Sequence, residues 1–256
     1  DLMEVVRRQA PPPVPAEGMI DCHSHLLPGI DDGCQGFPES QRAVRLLKEN
    51  GFVGTICTPH VWPELFPETT PAAIAIWVDQ LRQHFADQGV DYPIWPGGEL
   101  RIFKKVIPFL EEVGPPTLAC TNRVLTDFWE DKWPKWADKA FQWLIDHGYQ
   151  PILAHPERLA CTKKLESHLD EVRDMGVLLQ GNVRCLTGED GYTADQLVRQ
   201  FLREGRYDLM ALDMHEPDTL PSRFDGVKLL IEEFGQETAD RMLIDQPRRL
   251  VFDHVP

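Results

Sequence analysis

Asp21-Cys22-His23-Ser24-His25 closes a short apolar run that begins at Met19. Side chains alternate along an extended chain, so His23 and His25 point to the same side. Two imidazoles on one side of a strand end are good first ligands for a divalent metal. Metal-type residues then recur at His60, Glu99, Asp127, His155, Asn182 and the pair Asp213 and His215, which repeats the period-two spacing. Glu99, Asp127 and His155 follow one another at equal intervals of 28 residues, about one β/α unit. Asp31 and Asp32 add carboxylates just after the first two histidines. Alone, each residue has a plain explanation. Glu99 follows Gly97-Gly98 and could be a solvated turn residue, Asp127 could cap a helix, and His60 could sit in a loop. Together they exceed what one tetrahedral ion needs and imply two or three clustered metals. The four histidines outside the pattern (His84, His147, His168 and His254) read as surface or capping residues. Cys22 could be a soft ligand, but strand alternation favours the core side.

Elements must bring these residues to one place. Short apolar runs with polar ends lie at Met19–His25, Val53–His60, Tyr92–Leu100, Arg123–Trp129, Pro151–His155, Gly176–Val183 and Leu209–His215. Amphipathic helical patterns separate most of them, at Pro38–Asn50, Pro71–Gln88, Lys135–His147, Lys164–Met175, Thr193–Glu204 and Ser222–Phe234. Ile102–Val113 predicts a short or broken helix, because Pro108 stands inside it. Alternation of this kind predicts an α/β fold with a parallel sheet, most simply closed into a TIM-like barrel of seven β/α units. A doubly wound open sheet is the alternative, but Leu27-Pro28-Gly29-Ile30 is not its Gly-rich phosphate loop. In a barrel the chemistry sits at the C-terminal strand ends, where the metal-type residues fall.

The bulk of the chain agrees. A length of 256 residues and 42% hydrophobic content suit one sizeable core. The net charge of −15 argues against nucleic acid as a partner. No apolar run is long enough to insert into a membrane. The six cysteines are scattered without a C-x-x-C pair, which suits reduced thiols in a cytoplasm. Residues 1–18 read as a Pro-rich N-terminal extension or tether: Asp1–Ala10 could make two helical turns, and Pro11-Pro12-Pro13-Val14-Pro15 stops them. Residues 19–256 read as the working domain.

Asp21-Cys22-His23-Ser24-His25, Asp31-Asp32-Gly33, Thr58-Pro59-His60, Gly98-Glu99, Ala154-His155-Pro156-Glu157-Arg158 and Asp213-Met214-His215 resemble the signature of the PHP (polymerase and histidinol phosphatase) superfamily. Within it the chain is similar to the bacterial metal-dependent protein-tyrosine phosphatases of capsule and exopolysaccharide gene clusters. Gln246-Pro247-Arg248-Arg249 resembles a terminal segment of that group. The resemblance implies a distorted (β/α)7 barrel, the PHP fold, and a site for three divalent ions. His23, His25, Glu99 and Asp213 would hold the first ion. Glu99, Asp127 and His155 would hold the second, and Asp32, His60 and His215 the third. The family usually uses manganese, although these ligands also accept iron or zinc. Arg158 and, after the last ligand pair, Arg223 would bind the substrate phosphate. Two departures stand out. Asp127 replaces the usual glutamate and shortens its reach by about 1.5 Å. Val61-Trp62-Pro63-Glu64-Leu65-Phe66 is acidic and apolar where relatives often carry basic residues.

The chemistry of a phosphate ester points the same way. Its hydrolysis needs charge stabilisation and positioning above all. Clustered metals polarise the phosphoryl oxygens and supply a bridging hydroxide for in-line attack. No cysteine is followed by arginine at the sixth position, so a phosphocysteine mechanism is excluded. Phenolate leaves readily enough (phenol pKa about 10) to make a dedicated acid less critical. Trp62, Trp129, Trp133 and Trp136 could form an aromatic rim or simply cover the core. The leading expectation is a cytoplasmic, manganese-dependent protein-tyrosine phosphatase. Its substrate would be a phosphotyrosine protein, a membrane-associated tyrosine autokinase of polysaccharide export. The alternatives are a phosphatase for a small phosphomonoester such as histidinol phosphate, and a metal-bound adaptor without turnover.

Overall fold

The computed structural model describes residues 11–130, 132–159 and 162–252. Strands and helices alternate along the chain: β1 (Met19–Asp21), α1 (Phe37–Glu49), β2 (Phe52–Cys57), β3 (His60–Val61), α2 (Pro71–Asp87), β4 (Ile94–Pro96), β5 (Glu99–Arg101), α3 (Val106–Val113), β6 (Arg123–Asp127), α4 (Lys135–Asp146), β7 (Gln150–Ala154), α5 (Leu165–Met175), β8 (Leu178–Asn182), α6 (Tyr192–Arg203), β9 (Leu209–Ala211), α7 (Leu220–Phe234) and α8 (Gln236–Asp240). Every pairing between these strands is parallel. They form two sheets, in the orders β1-β2-β4 and β3-β5-β6-β7-β8-β9. The result is a mixed α/β fold.

Two of the runs expected as single strands are each split in two. Between β2 and β3 stands Thr58-Pro59, and proline offers no N–H to a ladder. Between β4 and β5 stands Gly97-Gly98, where the neighbours press close. A Cβ on Gly98 would lie 2.6 Å from Pro116 Cβ. Each break ends one sheet and starts the other. The gaps are still bridged by backbone hydrogen bonds, with Thr58 N donating to Ser24 O at 2.8 Å and Glu99 N to Pro59 O at 3.0 Å. The segment after β1 also meets the segment after β9. His25 N donates to Met214 O at 2.8 Å, and Asp213 N donates to His23 O at 2.9 Å.

Helix boundaries follow local chemistry. Thr70 caps α2 by accepting from Ala73 N, Pro71 opens the helix, and Ile74, Val78, Leu81 and Phe85 bury one face. Pro108 lies in the first turn of the eight-residue α3, where its missing donor has no intrahelical partner to lose. The largest apolar cluster lies between helices and sheets. A second, inner cluster takes Ile20 from β1, Ile56 from β2, Trp95 from β4, Leu125 from β6, Ile152 from β7 and Leu209 from β9. Val251 and Phe252 close it, and Cys22 belongs to it, which is the core side that strand alternation favours. No helix among the described residues is long and apolar enough to cross a membrane.

The proline-rich stretch touches this scaffold at the starting ends of β2 and β4. Trp95 Nε1 donates to Pro12 O at 3.1 Å, and Arg248 donates twice to Pro15 O at 3.0 and 2.8 Å. Gln246-Pro247-Arg248-Arg249 therefore lies away from the histidines, in wide helical turns over 241–252. The helical turns expected over Asp1–Ala10 lie outside the described residues.

Candidate metal centre

The ends of β1, β3, β5, β6, β7 and β9, or the residues just beyond them, converge on one cleft of about 320 Å³. At its floor His23 and His25 are fully buried, with their Nε2 atoms facing Glu99 and Asp213. His23 Nε2 lies 3.3 Å from Glu99 Oε2 and 3.4 Å from Asp213 Oδ1. His25 Nε2 lies 3.4 Å from each of the same two oxygens. These four atoms are buried and lack any hydrogen-bond partner among the described residues. Stranding four such atoms would be costly unless something else meets them. Imidazole–carboxylate separations of 3.3–3.4 Å suit neighbouring ligands set about 2.1 Å from one ion. The donor set, two imidazoles and two carboxylates, suits a borderline or hard divalent cation.

Outer hydrogen bonds fix the two rings. His23 Nδ1 bonds Gln180 Oε1 at 2.7 Å, and His25 Nδ1 bonds Asp31 Oδ2 at 2.7 Å. Each acceptor takes the Nδ1 proton and leaves the Nε2 lone pair aimed at the floor. Burial opposes ionisation of Asp31, but the His25 imidazole and the His60 backbone N–H hold its carboxyl at about 2. Gly33 lets the loop carrying Asp31 fold tightly onto His25, since a Cβ there would lie 2.2 Å from His25 O. Glu99 and Asp213 are likewise held well below the usual carboxylate range. Burial acts against this most strongly, and the surrounding imidazoles, His23 foremost, together outweigh it in both.

The remaining candidates surround the floor. His60 Nδ1 lies 3.0 Å from Glu99 Oε2, His155 Nε2 lies 3.0 Å from Glu99 Oε1, and Glu99 is thus shared by both sides of the cleft. Asp32 Oδ1 faces His60 Nε2 at 3.4 Å and His215 Nε2 at 3.6 Å. Asp127 turns a buried, unpartnered Oδ1 toward the site, and its Oδ2 accepts from Arg101 at 2.9 Å. Four groups of ligand-type residues result, each with its ligand atoms within 4.8 Å of one another: His25, Asp32, His60 and His215; His23, His155 and Asp213; His23, His25 and Glu99; Glu99, Asp127 and His155. All nine ligand candidates are among them. Their grouping is more interwoven than three separate ligand sets, because His25 also joins the Asp32 side and His155 also joins the Asp213 side.

His155 and Asp213 adopt left-handed backbone angles, with φ of 36° and 50°. Such strain costs on the order of 1–3 kcal/mol per residue. It is sustained here by His155 N donating to Gln180 O at 2.7 Å and by the Asp213–His23 backbone bond. Asn182 Nδ2 donates to Asp213 Oδ2 at 2.7 Å, which leaves Asp213 Oδ1 for the floor.

The arginines part company. Arg158 lines the cleft, with Nη1 3.3 Å from Asp213 Oδ2 and its guanidinium over Trp129. Arg223 is not brought into the cleft. It is 2% exposed, and its guanidinium donates to the backbone carbonyls of Leu212, Asp213 and Thr219. Loop geometry explains this: Pro217 and Thr219 wind the chain into a tight turn, so α7 carries Arg223 behind Asp213. Arg223 braces the backbone of a ligand candidate. Trp62 and Trp129 border the cleft, whereas Trp133 and Trp136 pack on the large core cluster. Gln180 and Arg101 were not singled out by the sequence, where a glutamine in a strand and an arginine after Leu100 carry no distinguishing signal.

Residues 19–252 match the family model for capsular polysaccharide synthesis, CpsB/CapC. The chain is 29% identical over 220 residues to the tyrosine-protein phosphatase YwqE of Bacillus subtilis, covering 86% of each. It is 26% identical over 243 residues to the tyrosine-protein phosphatase CpsB of Streptococcus pneumoniae, covering 93% of this chain and 100% of that one. A structure solved in work on YwqE and CpsB, described as unique metal-dependent tyrosine phosphatases, superposes with a TM-score of 0.76 at 26% identity, covering 92% of this chain and 94% of the other. A phosphotriesterase homology protein from Escherichia coli shares the fold alone, with a TM-score of 0.57 at 12% identity, covering 92% and 99% of the two chains.

Proposed function

The chain belongs to the capsular polysaccharide synthesis CpsB/CapC family, and from that premise we infer that it is a metal-dependent tyrosine-protein phosphatase. The observation that carries this is the buried floor of the cleft. Four unpartnered ligand atoms meet there, each Nε2 3.3–3.4 Å from each carboxylate oxygen, beside an arginine with N–H groups at the rim. His23, His25, Glu99 and Asp213 would hold one ion, Glu99, Asp127 and His155 a second, and Asp32, His60 and His215 a third. Manganese is the proposed metal, since a mixed imidazole and carboxylate set suits it. Divalent ions bound there polarise phosphoryl oxygens and activate a water nucleophile.

This chain's own residues do the rest. Arg158 presents a planar guanidinium to the phosphate, held in place by Asp213 and by the Trp129 ring. Trp129, 54% exposed, offers its indole at the mouth for the phenyl group. Gln180, Asp31 and Asn182 keep the ligand atoms aimed. The leaving phenolate needs no strong acid. The fold reads as a distorted barrel of seven β/α units, with residues 19–256 as the phosphatase domain and 1–18 as an extension. In support, hydrogen bonds join the ends of β1 and β9, and the inner cluster draws on six strands. The substrate is proposed to be a phosphotyrosine protein, a membrane-associated tyrosine autokinase, met in the cytoplasm.

Metal-stripped protein refilled with manganese tests the reading on a phosphotyrosine peptide, a phosphoserine peptide and histidinol phosphate. Preference for phosphotyrosine is expected, with loss of turnover in His155→Ala. In Arg158→Ala turnover falls while metal content stays. Activity on the small phosphoester alone would replace the protein substrate. No turnover on any of them by the metal-loaded protein would overturn the enzymatic reading.

A further inference from the structure

The cleft holds a second arginine built like Arg158. Arg101 ends β5, two residues after Glu99, and stands opposite Asp127 in the β5–β6 register. Its Nη1 donates to Asp127 Oδ2 at 2.9 Å, and its guanidinium carbon lies 4.5 Å from the centre of the Trp62 ring. Arg158 repeats the arrangement: Nη1 meets Asp213 Oδ2 at 3.3 Å, and its guanidinium carbon lies 4.5 Å from the centre of the Trp129 ring. In each case a carboxylate of the metal centre takes one N–H and an indole covers one face. Both side chains line the same cleft. Among the described residues, Arg101 Nε and Nη2 have no protein acceptor, whereas Arg223 spends its guanidinium on backbone carbonyls.

We propose that Arg101 is the second phosphate-contacting arginine of this site, facing Arg158 across the cleft. The inference rests on the phosphatase reading. A phosphate monoester is a dianion, and the cleft walls carry Asp32, Glu99, Asp127 and Asp213, so cationic donors must face it as it enters. A guanidinium with one N–H held still presents a charged donor edge. Stacking on Trp62 and the bond to Asp127 restrict its rotamers, so little freedom is lost on binding. The apolar sequence after β3 acquires a purpose: Trp62 covers one face of the guanidinium and positions a cation that comes from β5. Trp62 is a positioning residue and Arg101 the contact.

The competing role is that Arg101 only neutralises Asp127 and so acts through the second ion. Inorganic phosphate as a competitive inhibitor separates the two. In manganese-loaded Arg101→Ala, the inhibition constant of phosphate and the KM for a phosphotyrosine peptide should both rise about tenfold or more, the usual loss for a charge-assisted hydrogen bond. Trp62→Ala should shift both the same way by less. Metal content is measured alongside. Should it fall in the alanine variant, Arg101→Lys decides, because it keeps a cation beside Asp127 and loses the fork. A raised phosphate constant at full metal content supports the contact. An unchanged phosphate constant at full metal content, whatever happens to kcat, overturns it. If the wild-type protein cleaves no phosphotyrosine peptide, the phosphatase reading fails by itself. Calorimetric binding of phosphate to the loaded wild-type and Arg101→Ala proteins then still judges Arg101, by the same shift or its absence.

Discussion

Gln180 shows how much of a metal centre is decided by residues that are not ligands. It is fully buried in β8, accepts the His23 Nδ1 proton, and donates from its amide nitrogen to Asn182 Oδ1 at 2.9 Å. Gln180→Ala should leave the fold intact and weaken metal binding about 10–100-fold, as loss of a ligand's orienting partner usually does. Competition against a chelator measures it, and wild-type affinity in the variant would show that His23 needs no such partner. At this scale the sequence was unevenly legible. His23 with His25 and Asp213 with His215 could be picked out because ligands two apart share one side of an extended chain. Gln180 could not, since a polar residue inside an apolar run looks the same whether it faces a histidine or water. Proximity along the chain to a ligand does not say which way a guanidinium turns, so the sequence drew attention to Arg223 and none to Arg101. Arg223 turns back to carbonyls behind Asp213, and Arg101 is drawn forward by Asp127 and Trp62.

Elements set the spacing between these residues, and the contact between α7 and the turn after β8 is a close one. Gly226 faces that turn; a Cβ would lie 2.3 Å from Val183 O and 2.7 Å from Val183 C. Alanine in a helix gains about 1 kcal/mol over glycine in propensity. A clash with backbone cannot be relieved by a rotamer change, and forced overpacking costs about 1–3 kcal/mol. Gly226→Ala should therefore be destabilising in urea unfolding; a more stable variant would show that α7 can move away freely. The same turn leads to Asp190, which pairs with Arg184 and lies 3.8 Å from Arg158 Nε, so turnover should suffer too. The alternation of strands and helices was readable from apolar periodicity. The splitting of two strand runs was not, because Thr58-Pro59 and Gly97-Gly98 interrupt a ladder without interrupting the hydrophobic pattern. The helical turns after Gly235 formed no part of the expected alternation, and wide turns there carry on through Pro247.

For the molecule as a whole, the charge of −15 is concentrated in part where it is hardest to sustain. Glu99, Asp127 and Asp213 are buried within one small volume. Ions that bind only the folded chain stabilise it by mass action, about 2.7 kcal/mol at a free concentration 100 times the Kd. For a chain of this size that raises Tm by roughly 5–11 °C. Thermal unfolding of stripped and manganese-refilled protein should show this gap, and equal midpoints would mean that the cleft holds no ion tightly. The hydrogen bonds that join His25 to Met214 and His23 to Asp213 carry a consequence for biosynthesis. The two halves of the floor are about 190 residues apart in the chain, so a ribosome must add that whole length before they can meet. At about 5–20 residues per second, Glu99, Asp127 and His155 emerge seconds before Asp213 and His215. A nascent polypeptide can gather only that partial set, and full metal loading is postponed until Asp213 and His215 have emerged.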